Sequence, residues 1–412
     1  MNKININLKF TIAHLFVILS FFSVWAVVSG DSTLLLSNDT VLFIKSLIVY
    51  ITLIFIVVIF ILSNGAFLKF SINNVILAIS PFVYYGITHI FNFSGKESIL
   101  IINAITIALF CVIKDEIKSL VYIEVKKLLV ISAWISILFY VIDLFNIPCW
   151  GSSVNYYIDN LGTYRDYYVT SFVHIGSFIR ACGFFNEPGF YGTIIALFLV
   201  IDGINLKKLD NVIILIAGVL TFSAAFYILL IGYAILKLVI SKPVLGVFAL
   251  FIFIFVIYFL NNLYYSYSDN SIFWRVIGII TGKQNNRSYD TINDMVYRTL
   301  HSEYWLFGHG YGYVESIISD LSIKKYIVDF GIGGCALMFS PIFYPIIKES
   351  KKLLDARISF IIFVLSIYQR PNIFVLLYFV IITGIYNKNK ICIDYKGIYK
   401  KKGIRRYSNM NY

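Results

Sequence analysis

Charge is scarce in this chain. Asp, Glu, Lys and Arg make up 14% of its 412 residues, where a soluble domain carries about 25%. That shortage excludes an ordinary water-soluble globule. Cysteine is sparse as well: the five residues include no Cys-x-x-Cys pair, so the spacing encodes no disulfide framework. Cys111, Cys335 and Cys392 read as small apolar residues. Cys149 and Cys182 fall near one polar segment, where a pair and two free thiols both stay open. The five histidines contain no two at metal-ligand spacing, so no metal site is expected. No phosphate-binding Gly-x-x-x-x-Gly-Lys-Ser/Thr, no Asp-x-Asp and no locatable Ser/His/Asp arrangement occurs. A cleavable leader is not expected either, because the first apolar run is long enough to span and lacks a small-residue cleavage site.

What remains is apolar. Hydrophobic residues are 59% of the chain and the mean hydropathy is +0.82. The reading is one membrane-embedded domain over residues 1–412, an all-α polytopic helix bundle. The net charge of +12 does not mark a nucleic-acid binder, because the basic residues stand at the ends of apolar runs. Their placement is an orientation signal. Five runs come first, at 10–29, 41–63, 75–93, 98–113 and 128–147. The link 114–127 holds four lysines and reads as cytoplasmic. That puts the N-terminus inside and residues 148–187 outside, as a first large loop.

Residues 188–206 then cross back to Lys207 and Lys208. The run 211–240 is 30 residues, too long for one pass, and a break at Thr221-Phe222-Ser223 gives two short ones. After the run 244–260, residues 261–325 form a second large external loop. Residues 326–347 return, and 358–386 again needs two short passes, hinged at Arg370-Pro371. The tail 387–412 carries eight Lys or Arg and reads as cytoplasmic. The sum is about 12 passes with both termini inside. Inner segments hold 23 of the 34 Lys and Arg residues and outer ones 10, so an outer arginine is the exception that needs a reason.

Those exceptions gather in the two large loops. The stretch 180–192, Arg-Ala-Cys-Gly-Phe-Phe-Asn-Glu-Pro-Gly-Phe-Tyr-Gly, opens straight into an apolar run. It sets Arg180 and Glu187 on a glycine-rich turn at the mouth of a membrane helix. A capped helix start accounts for Glu187 and Pro188. It does not account for Arg180, whose charge is wrong for a helix N-terminus. Arg275, Arg287 and Arg298 lie in the second loop. Guanidinium groups bind phosphate oxygens in a bidentate fork, and a lipid diphosphate at the membrane surface needs such a clamp. The plainer alternative is scattered arginines pairing with Asp269, Asp290, Asp294 or Glu303, and for Arg275 it is preferred. Residues 305–312, Trp-Leu-Phe-Gly-His-Gly-Tyr-Gly, form a glycine-spaced turn. Its backbone amides can approach an anion or a sugar, with His309 as base or donor, or it is simply a turn. His174 and His301 read as surface residues, and His14 and His89 as packing residues in or near helices.

The Arg-x-x-Gly-x-Phe-x-Glu-Pro pattern at 180–188 is followed in order by four elements. They are the Thr-x-Ser break at 221–223, an arginine-bearing external loop, Phe-Gly-His-Gly-Tyr-Gly at 307–312 and Asp-Phe-Gly-Ile-Gly-Gly at 329–334. This series resembles bacterial O-antigen polymerases of the Wzy type and the related O-antigen ligases, over roughly residues 128–385 in architecture. Two positions depart from the family pattern. Ala224 stands where an arginine often follows the serine of the break. Asp320-Leu321 stands where ligases carry His-Asn, which counts against a ligase and leaves the base unassigned.

The resemblance implies a metal- and nucleotide-independent glycosyltransferase of lipopolysaccharide biosynthesis in the bacterial inner membrane. The donor is an oligosaccharide repeat on undecaprenyl diphosphate. The acceptor is a hydroxyl of a second lipid-linked repeat, and undecaprenyl diphosphate leaves on the periplasmic face. The expected roles are Arg180, Arg287 and Arg298 on the diphosphate and Glu187 or His309 on the acceptor hydroxyl, with Arg370 a lower-ranked phosphate residue. Expected partners are the lipid-linked glycans, membrane lipids and a chain-length regulator protein, with no nucleic acid and no cofactor. The competing activities are a ligase that moves glycan to lipid A core and a flippase for lipid-linked oligosaccharide. No internal repeat of the transporter kind is present.

Overall fold

The computed structural model describes residues 2–22, 38–91, 97–145, 147, 152–158, 162–167, 170–175, 178–185, 187–266, 290–318, 323–350, 354–369 and 375–386. Five helices come first: α1 (Asn2–Phe22), α2 (Asn38–Leu62), α3 (Ile72–Phe91), α4 (Glu97–Val112) and α5 (Asp115–Leu144). Four strands follow, β1 (Ser152–Ile158), β2 (Gly162–Tyr167), β3 (Thr170–Ile175) and β4 (Phe178–Gly183). Then come α6 (Pro188–Ile201), α7 (Leu209–Leu220), α8 (Ala224–Ser241) and α9 (Pro243–Ser266). The chain closes with α10 (Asp290–Leu300), a 3-10 turn (Glu303–Trp305), α11 (Tyr313–Ile317), α12 (Lys324–Ser350), α13 (Leu354–Gln369) and α14 (Leu376–Tyr386). Among the described residues three helical segments are long and apolar enough to cross a membrane: Asp115–Leu144, Ala224–Ser241 and Lys324–Pro345.

The centre of the bundle is built from helices that are apolar all round, which water would not tolerate. Every residue of α6 is buried, as are residues 376–385 of α14. The periphery is the reverse of a soluble protein. In α9 Val244 is 88% and Phe251 67% exposed, so this helix turns bulky apolar side chains outward, as a lipid-facing element does.

One end of the bundle is basic. Lys9 of α1 pairs with Glu116, Lys126 with Asp202, and Lys69 with Asp115 at 2.8 Å. These contacts gather the α2–α3 link, the α4–α5 junction and the end of α6. They also correct the expected link at 114–127, because α5 begins at Asp115 and runs unbroken to Leu144. Asp115 and Glu116 suit a helix N-terminus. Lys118 is buried and hydrogen-bonds the Cys111 carbonyl at 2.9 Å, which joins α4 to α5.

The other end holds the main departure from an all-α fold. The first large loop contains an antiparallel sheet in the order β1-β2-β3-β4. Alternation drives it: Tyr167, Phe172, Ile179 and Ala181 bury one face against Phe139, Tyr140, Ile142 and Leu220. On the opposite face of β3 and β4, Ser171, Val173 and Cys182 are buried as well. The second large loop likewise contains α10, the 3-10 turn and α11. The break at 221–223 is present: α7 ends at Leu220, Phe222 takes a φ of 44° and α8 starts at Ala224. Thr221 Oγ1 closes α7 by donating to Gly218 O at 2.6 Å, and Ser223 N donates to Thr221 Oγ1 at 3.2 Å. The expected hinge at Arg370-Pro371 falls outside the described residues, between α13 and α14.

Candidate functional site

The expected site residues that are described fall into two groups, and each rests on its own elements. The first lies where β4 meets α6. Arg180 pairs in register with Val173, and its Nε donates to the Thr221 carbonyl at 3.1 Å. The arginine is thus tied to the α7–α8 break, 41 residues away in sequence. Gly192 lets α6 abut that break: a Cβ there would lie 2.9 Å from Ser223 Cβ and 3.0 Å from Thr221 Oγ1. Pro188 opens α6 as expected. Glu187 occupies the preceding position in extended backbone (φ −138°, ψ 136°), and its carboxylate makes no capping hydrogen bond. Glu187 is nonetheless the N-cap residue of α6, its carbonyl accepting from Tyr191 N at 3.1 Å, so its charge stands at the positive end of the helix. Cys182 of β4 is buried, its thiol 3.9 Å from the Arg180 carbonyl, and Cys149 lies outside the described residues.

The second group is the glycine-spaced turn, docked on α12. Gly308, Gly310 and Gly312 all have positive φ, the conformation that lets the chain coil this tightly. Its amides are already used. Gly308 N donates to Tyr304 O at 2.7 Å, His309 N to Val328 O at 2.9 Å and Gly310 N to Asp329 O at 2.9 Å. The amides of Gly312 and Val314 donate to the Asp329 carboxylate at 3.2 and 3.0 Å. The expectation of an amide cradle for an external anion is thereby corrected: the anion these amides hold is Asp329. From α3, the buried Tyr84 hydroxyl donates to Asp329 O at 3.0 Å.

His309, the expected base or donor of this turn, is half-buried. Its ring lies between Tyr304 and Tyr313, with centroids at 4.2 and 4.5 Å. Burial holds the imidazole below the ordinary histidine range, so it is neutral at pH 7 and able to accept a proton. The sign of the linkage follows. The unfolded chain takes up the proton first, near pH 6.5, so the turn loses stability as pH falls from there and keeps it above. Arg298 is exposed in the last turn of α10, a helix that packs on α12 through Ile292, Val314 and Val328. Arg275, Arg287 and Arg370 lie outside the described residues.

Both groups stand away from the lysine-rich end. The β4–α6 junction is separated from Asp202 by the length of α6, about 21 Å. Tyr84 stands 12 residues along α3 from Ile72, about 18 Å, and Lys69 precedes that end of α3. No protein-family model, curated protein or solved structure matches this chain.

Sequence reading missed one cluster altogether. His174, expected as a surface residue, has Nε2 2.6 Å from Oδ2 of Asp143, whose side chain is fully buried. The other oxygen, Oδ1, accepts from the Tyr167 hydroxyl at 2.7 Å. An aspartate in the apolar run 128–147 was the available signal, because a charge there needs a partner. Among the described residues no group of three or more His, Cys, Asp or Glu side chains could hold a metal ion.

Proposed function

We propose that this chain polymerises undecaprenyl-diphosphate-linked oligosaccharide repeats on the periplasmic face of a bacterial inner membrane, as an O-antigen polymerase. The carrying observation is the Arg180–Thr221 hydrogen bond. It joins two of the sequence elements on which the family resemblance rests, and it holds a guanidinium at the end of the bundle away from the lysines. In this reading the lysine-rich end is cytoplasmic, both termini lie on that side, and about 12 passes cross the membrane. Residues 148–187 and 261–325 are then periplasmic.

The chemistry is a displacement at the anomeric carbon of the donor. The acceptor oxygen forms the new C–O bond, the bond to the diphosphate breaks, and its electron pair leaves with undecaprenyl diphosphate. Arg180, Arg287 and Arg298 hold the diphosphate and stabilise its developing charge. Glu187 or His309 orients the acceptor hydroxyl and takes its proton, and Arg370 adds a further phosphate contact. A deletion strain tests the assignment. Loss of a polymerase leaves lipopolysaccharide core carrying one repeat on a gel. Bare core instead identifies a ligase, and an absence of outward-facing repeats identifies a flippase.

A further inference from the structure

Asp143 lies in the last turn of α5 with 0% of its side chain exposed. Burying a carboxylate this completely is costly unless it is partnered. Two of its partners come from the sheet: the Tyr167 hydroxyl from β2 at 2.7 Å and His174 Nε2 from β3 at 2.6 Å. The second is a close contact between Nε2 and Oδ2 that lies off the hydrogen-bond axis. Nearby, Ser136 Oγ and Thr170 Oγ1 lie 3.2 Å apart across the same interface. The Tyr140 hydroxyl of α5 also donates to the Ile179 carbonyl of β4 at 3.4 Å, and the packing around these contacts is apolar, through Tyr167, Phe172, Ile179 and Ala181.

Apolar burial holds two surfaces together without fixing how they are aligned. A buried carboxylate held by a directed hydrogen bond from Tyr167, with His174 in close contact, does fix it. The alignment bears on Arg180. Val173 pairs with Arg180 in the β3–β4 ladder, and the next residue, His174, pairs with Ile179. The anchored histidine therefore stands one residue along β3 from the position opposite Arg180, although the two side chains leave the sheet on opposite faces. We propose that Asp143, with Tyr167 and His174, is a positioning anchor that sets where the sheet presents Arg180 to the diphosphate of a lipid-linked donor. The role of Arg180 in this proposal rests on the polymerase reading. The anchor itself rests on the contacts above.

The test uses the full-length chain in vesicles with a defined lipid-linked repeat as substrate. Asp143→Asn and His174→Ala raise the donor KM about 10- to 100-fold, the scale of a misplacement of about 1 Å, with a smaller change in kcat. His174→Gln recovers most of the loss, because its side-chain amide can donate to Asp143. Wild-type KM in all three variants overturns the proposal. So does a His174→Gln variant as impaired as His174→Ala when added imidazole restores the alanine variant, since that behaviour belongs to a proton acceptor. Amide hydrogen exchange across residues 178–183 provides an arm that needs no activity. Asp143→Asn speeds exchange there while global melting is unchanged, and unaltered exchange overturns the anchor. A wild-type protein that polymerises nothing, but whose β4 exchange responds to Asp143→Asn, overturns the polymerase reading and leaves the anchor standing.

Discussion

Arg180→Ala is expected to leave the chain folded and to cut polymer formation about 100- to 1000-fold, the usual scale for removing one group that stabilises developing charge. Two losses coincide. On the proposed reading the guanidinium is gone from the diphosphate, and the Thr221 carbonyl loses the donor that ties the break to β4. The second loss is one charge-assisted hydrogen bond, about 1.5–3 kcal/mol, so the melting midpoint moves far less than the rate. Arg180→Lys separates the two roles. It keeps the charge but not the planar fork, and its activity falls between wild type and alanine. Gels of lipopolysaccharide read the result in cells. Full-length ladders from Arg180→Ala at normal expression contradict the clamp.

Gly331→Ala is expected to be strongly destabilising. Gly331 has φ 64° and ψ −175°, a region that is essentially glycine-only. A Cβ would stand 2.5 Å from the Leu306 carbonyl carbon and 2.6 Å from the amide nitrogens of Phe307 and Gly308. All three are backbone atoms, so no rotamer change relieves the overlap. The kink also makes the docking site for the turn. Beyond it, Gly333 N and Gly334 N donate to Leu306 O at 2.8 and 3.0 Å. Before it, Asp329 holds the amides of Gly312 and Val314. Forcing Gly331 out of this conformation breaks both sets, at a cost above about 3 kcal/mol. Thermal melting of the detergent-solubilised protein measures it. An unchanged midpoint contradicts the packing described for residues 306–334.

Much of the bundle was legible in the sequence because apolar length and lysine placement carry it. The break at 221–223 followed from a run too long for one pass and too short for two. Arg180 stood out because its charge is wrong for a helix start, and it does bond away from α6, to Thr221. The sheet was harder to see. Residues 148–187 look like loop by composition, yet Thr170–Ile175 and Phe178–Gly183 are separated by Gly176-Ser177, a hairpin signal between two β-prone runs. The lysines at 114–127 looked like a link because lysine usually marks water. Lys118 instead spends its charge on the Cys111 carbonyl inside the helix pair. The partner of the glycine turn was not legible, since the anion its amides hold, Asp329, is 17 residues from Gly312 and sequence spacing cannot supply that contact. The same holds for Asp143 and His174, which meet only because the sheet folds back onto α5.

The most direct test of the account is reconstitution of the purified full-length chain in vesicles with a synthetic repeat on undecaprenyl diphosphate, without nucleotide. The expected product is a ladder in whole multiples of the repeat, with one undecaprenyl diphosphate released for each new linkage and little product from Arg180→Ala. A folded wild-type protein that leaves the lipid-linked repeat unchanged, or an Arg180→Ala variant that polymerises at the wild-type rate, contradicts it.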